Sequence, residues 1–104
     1  MEFKQIIKRA LEIRRKYSEL EKGKYGKEWS KEQIMQGFVG DVGDLAKLIM
    51  AKEGIRDIKD ADKKLAHELS DCLWSVLVLA DKYGVDIEKS FLETMDELDK
   101  EIER

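Results

Sequence analysis

Apolar residues recur every three to four positions through most of the 104-residue chain, and no stretch shows the period-two alternation of a half-buried strand. Four amphipathic segments follow from this spacing. The first runs from about Glu2 to Glu21, with Phe3, Ile6, Ile7, Ala10, Leu11, Tyr17 and Leu20 as its stripe. It stops in "KGKYGKEWS", where two glycines break the pattern. Ser30 followed by Gln33 makes a capping box, so a second helix begins at Lys31. It continues through Ile34, Phe38, Val42, Leu45 and Ile49 to about Glu53, where Gly54 ends it. The polar connection "IRDIKDAD" leads to a third helix, from about Asp62 to Tyr83, stopped by Gly84. Asp86 is an N-cap for a fourth, whose narrow stripe is Ile87, Phe91, Met95, Leu98 and Ile102.

The pattern predicts an all-α fold, an antiparallel four-helix bundle in which short connections turn each helix back on its neighbour. The fourth stripe resembles a coiled-coil seam, able to dock within the monomer or on a second subunit. Gly37, Gly40 and Gly43 interrupt the second helix, each at a cost of roughly 1 kcal/mol relative to alanine. Three of them so close together call for close helix approach or room for a ligand.

Composition narrows the function classes. The length and the absence of proline fit one domain over residues 1–104, short enough that oligomerisation would help it bury its apolar surface. Charges of both signs are interspersed and the formal net charge is −3, so no basic stripe exists to track a phosphate backbone and no polymeric nucleic acid is expected as partner. The longest apolar run, Cys72 to Ala80, is far below the roughly 20 residues that span a bilayer, so no membrane partner is expected. A single cysteine, Cys72, forms no intrachain disulfide and reads as a small core residue in a reducing, cytoplasmic setting.

The candidate chemistry lies in two acidic pairs. Asp41 and Asp44 stand three residues apart in "GDVGDLAKL", and Glu68 and Asp71 repeat that spacing in "HELSDCLW". Each pair shares a helix face, where like charges repel by a few tenths of a kcal/mol. Asp41 falls on the edge of its helix's apolar arc. Glu68 projects in line with Cys72 and Leu79, and Asp71 is flanked by Trp74 and Val78. Burying four anions without compensation costs several kcal/mol per ion. One reading is that they are half-exposed polar ends of core helices. The other is that they hold a divalent cation between the helices. An all-oxygen ligand set favours Mg²⁺, or Mn²⁺, over Zn²⁺. His67 is not spaced to join them and reads as a surface or interface residue.

The segments "FVGDVGDLAKLI" at 38–49 and "HELSDCLWSVLVLADKYGVDIEKSF" at 67–91 resemble those of the MazG-like, all-α nucleoside triphosphate pyrophosphohydrolases, including the dCTP pyrophosphatase branch. The resemblance covers roughly residues 25–95. It implies a MazG-like bundle completed by homo-oligomerisation into a dimer or tetramer. It also implies a (deoxy)nucleoside triphosphate substrate cleaved between the α- and β-phosphates to a monophosphate and pyrophosphate, as nucleotide-pool housecleaning. Asp41, Asp44, Glu68 and Asp71 become the Mg²⁺ ligands by that resemblance, with Asp41 as general base. Two departures stand out: both glutamates of the family's first pair are aspartates here, and the last helix reads "TMDEL", with Thr94 and Leu98 where the family often carries Lys and Asn. The alternative they raise is a catalytically degenerate bundle that binds metal or nucleotide or serves as an assembly module. Trp29 either stacks on a base or caps the core, and Trp74 belongs to the core, to a subunit interface or to a base pocket. Lys47 and Lys52 follow the acidic pair and reach towards phosphates or towards solvent.

Overall fold

The computed structural model describes residues 1–103, and among them every regular element is an α-helix. Helix α1 spans Phe3–Tyr25, α2 Lys31–Lys52, α3 Ala61–Lys82 and α4 Ile87–Ile102. The capping box forms as its sequence requires, with Gln33 N–H donating to Ser30 Oγ at 3.2 Å and Ser30 N–H donating to Gln33 Oε1 at 2.9 Å. Asp86 caps α4 by accepting from Lys89 N–H at 3.1 Å. Gly54 and Gly84 take left-handed φ of 77° and 67° and close α2 and α3. The exception is α1. It runs through Gly23 and ends only at Gly26, whose φ of 83° supplies the left-handed stop. A lone glycine costs a helix about 1 kcal/mol, too little to end it while both flanks remain helical.

Helix α3 is the central element, packed against α2 along much of its length and against α1 on another face. Asp44 and Glu68 lie together, Lys52 pairs with Asp62 near the connection, and Ile34 and Val78 share a wall at the far end, so α2 and α3 are antiparallel. Ile34, Leu48, Leu77, Val78 and Ala80 form the buried centre.

The apolar stripe of α1 is displaced from the one its sequence predicts. Tyr17 and Leu20 are exposed, while Arg14 and Ser18 are buried on the face that continues from Ile7 and Leu11. Arg14 Nη2 donates to both carboxylate oxygens of Glu21, and its Nε donates to Ser18 Oγ at 3.4 Å. Both side chains of the ion pair are about nine-tenths buried, so each needs the other. Glu21→Ala, which strands the guanidinium, is expected to cost about 3 kcal/mol in urea unfolding, more than a paired Arg14→Met/Glu21→Leu replacement.

Helix α4 has no buried residue. Phe91, Leu92, Met95, Leu98 and Ile102 are all exposed, so the seam does not dock within the chain. Exposed apolar residues also line α2 (Met35, Val39, Val42, Ile49) and α3 (Leu69, Leu73, Val76) at heptad-like spacing, away from the contact between those helices. The radius of gyration, 16.6 Å, exceeds the roughly 13 Å of a compact chain of this length. No helix among the described residues is long and apolar enough to cross a membrane.

Candidate active site

The antiparallel packing of α2 on α3 sets one turn of each helix against the other at mid-height, and the acidic pairs occupy those turns. Carboxylate oxygens of Asp41, Asp44 and Glu68 lie within 4.8 Å of one another. Asp41 and Glu68 are half-buried and Asp44 is exposed, so the trio opens to solvent on one side. Glu68 Oε2 is buried and has no hydrogen-bond partner. A buried carboxylate oxygen without a donor is costly, and it marks where a positive ligand fits.

The electrostatics agree. Burial raises the Asp41 carboxyl above the usual aspartate range, reinforced by the charges of Asp71 and Asp44. Glu68 is raised in the same way, by burial first and then by Asp41, Asp71 and Asp44. Both hold protons more tightly than free carboxylates until a cation compensates them. The same burial and the same anions push the half-buried Cys72 thiol up, which fits an inert packing residue.

Asp71 stands outside the trio. Its Oδ2 lies 3.1 Å from Nε2 of His67, one turn back on α3. Sequence spacing aligns Asp71 with Glu68 equally well; what it misses is that His67, four residues before Asp71, competes for its carboxylate.

Two concavities flank the trio. The first, of about 340 Å³, is lined by Asp41 and Asp71 together with Tyr17, Trp29, Trp74, Ser75 and the Arg14–Glu21 pair. Trp74 Nε1 donates to Ala10 O at 2.9 Å, tying α3 to α1, and its ring meets Tyr17 in a tilted contact with centroids 5.7 Å apart. Trp29 is anchored through its backbone N–H, which donates to Glu21 Oε1 at 2.9 Å. Its ring lies against Gly37, where a Cβ would come within 3.1 Å of Trp29 Cζ3. Gly37 is therefore the one helix-two glycine whose missing side chain makes room for a neighbour within the chain; Gly40 and Gly43 face open space. The sequence points to Trp29 and Trp74 but not to Arg14 and Glu21, because a buried ion pair carries no apolar periodicity.

The second concavity, on the opposite side, is lined by Asp44 and Glu68 with Lys47, Lys63, Lys64 and His67. Lys52 takes no part, because its ammonium pairs with Asp62.

No curated protein and no solved structure gives a significant match to the chain. The family model described as MazG nucleotide pyrophosphohydrolase domain matches residues 29–104, which include both acidic pairs, Trp29, Trp74 and all of α2 and α3. The chain belongs to the MazG nucleotide pyrophosphohydrolase domain family.

Proposed function

We propose that the chain hydrolyses a (deoxy)nucleoside triphosphate to its monophosphate and pyrophosphate in a divalent-metal-dependent reaction. The observation that carries this reading is the Asp41, Asp44 and Glu68 trio with its unpartnered buried oxygen, set beside an aromatic pocket. Those three residues would hold Mg²⁺ or Mn²⁺, with Asp71 next to them as a fourth oxygen donor once released from His67. When bound, the ion supplies charge neutralisation and Lewis acidity at the α-phosphoryl group.

The residues of the chain do the rest. Trp29 and Trp74 offer flat apolar faces on which a base stacks, with Tyr17 on the Trp74 side. Asp41, which belongs to the trio and also lines the aromatic concavity, is the general base. A water oxygen bonds to the α-phosphorus while the bond to the bridging oxygen breaks. The electron pair leaves with pyrophosphate and the water's proton passes to Asp41. The aspartates of α2 are one methylene shorter than glutamate.

The same reading makes the protein a cytoplasmic homo-oligomer. The exposed stripes of α2, α3 and α4 are apolar surfaces that a second copy would cover.

Release of pyrophosphate from a panel of ribo- and deoxyribonucleoside triphosphates, dCTP among them, with Mg²⁺ or Mn²⁺ tests the enzyme. Turnover of at least one substrate, lost on chelation, is expected. No turnover at high protein concentration would leave a metal- or nucleotide-binding module.

A further inference from the structure

The concavities on either side of the carboxylate trio differ in chemistry, and a nucleoside triphosphate differs in the same way at its two ends. One side offers three aromatic rings around Asp41 and Asp71. The other, about 660 Å³, sets Lys47, Lys63, Lys64 and His67 around Asp44 and Glu68. With the α-phosphoryl group at the trio, the base can reach only one of these sides and the β- and γ-phosphates the other. Lysine ammonium groups suit phosphate oxygens, and aromatic faces suit a base.

The geometry points to a pyrophosphate subsite formed by Lys47, Lys63, Lys64 and His67, which orients the substrate across the trio and receives the leaving pyrophosphate. This deepens the proposed function and rests on it for the orientation, though not for the anion affinity. The start of α3 adds to the subsite. Asp60, its N-cap residue, lines the same concavity and makes no side-chain capping bond. The start of this 22-residue helix therefore lies beside the region without a side-chain acceptor from the cap, and the one first-turn carboxylate, Asp62, is held by Lys52. Lys63 and Lys64 sit in that first turn, so their ammonium groups and the helix dipole act on the same anion. None of the three lysines has a carboxylate within ion-pairing distance among the described residues. Asp44, Asp60 and Glu68 line the concavity as well, so it takes an anion that arrives with a divalent cation and not a bare phosphate.

The test is calorimetric titration of inorganic pyrophosphate into the full chain with Mg²⁺ present, comparing the parent with Lys63→Ala/Lys64→Ala. Both lysines are exposed, so the variant should fold, and Lys4→Ala/Lys8→Ala on α1 controls for the change in net charge. Affinity for pyrophosphate is expected to fall by about tenfold in the α3 variant and to stay within twofold in the α1 control. Where the parent turns over, the KM for triphosphate should rise in parallel while inhibition by the monophosphate product stays unchanged. Equal pyrophosphate affinity in parent and α3 variant, or equal losses in both double variants, would overturn the subsite. Because the titration reads binding without turnover, an inactive parent that still loses pyrophosphate in the α3 variant overturns the enzyme reading and leaves the subsite standing.

Discussion

Replacing Glu68 by glutamine should make the metal-free protein more stable and, at the same time, abolish its response to divalent cations. The opposite signs follow from one cause. Glu68 is raised by burial and by three neighbouring carboxylates, so the folded state at neutral pH carries an ionised group it would rather protonate. A raised carboxyl lends most stability below its unfolded pKa and progressively less as pH climbs through the folded value. The metal-free parent should therefore lose stability as pH rises across the carboxylate range, and Glu68→Gln should flatten that slope. Adding Mg²⁺ or Mn²⁺ reverses the balance in the parent, by about 2.7 kcal/mol at a hundred times the dissociation constant. For a chain of this size that is roughly 10–20 °C in thermal midpoint at fixed protein concentration. Glu68→Gln should show little of this shift, and any pyrophosphate release should fall by at least about a hundredfold. Thermal melts at several pH values, with and without the cation, read all three effects.

The second large effect concerns assembly. Leu73 on α3 and Val42 on α2 are exposed, at 51% and 45%, in the middle of their apolar stripes. If a second copy covers those stripes, Leu73→Asp buries a lone carboxylate at the interface, which costs several kcal/mol and far exceeds the roughly 2 kcal/mol lost with the leucine itself. The parent is expected to sediment as a dimer or larger species and Leu73→Asp as a monomer, with helicity retained because the residue lies outside the α2–α3–α1 core. A parent that sediments as a monomer at micromolar concentration contradicts this assembly.

Much of the architecture is legible in the sequence because it rests on local rules. Ser30 with Gln33, Asp86, Gly54 and Gly84 each act within a few residues, and each performs in the structure the role its type allows. Apolar periodicity places the helices but says less about which face turns inward. On α2 the half-buried positions are Gly37, Phe38, Asp41, Leu45 and Ala51, with Val42 and Ile49 outside; the stripe is wide enough for two partners, and the chain supplies one of them. On α1 the inward face holds Arg14 and Ser18, whose burial depends on Glu21 one turn further on and on Trp74 from a distant helix.

The candidate site was legible for a different reason. Like charges at three-residue spacing beside apolar arcs are an expense that a folded chain tolerates only with compensation. That spacing singles out Asp41, Asp44 and Glu68, whose oxygens the structure brings together. It does not separate Asp71 from them, since the pairing with His67 depends on side-chain rotamers rather than on spacing. Nor does it reveal Lys63 and Lys64, which on sequence grounds look like ordinary surface lysines but in the fold line one concavity with Ile58, Asp60 and Glu68.

The claim on which everything else depends is that carboxylates of α2 and α3 jointly hold a divalent cation. An anomalous-scattering map from crystals grown with Mn²⁺ and a non-hydrolysable nucleoside triphosphate addresses it directly. The expected result is a peak within coordination distance of Asp41, Asp44 and Glu68, with the α-phosphate beside it. A well-ordered triphosphate whose only metal peak lies away from those three side chains would contradict it.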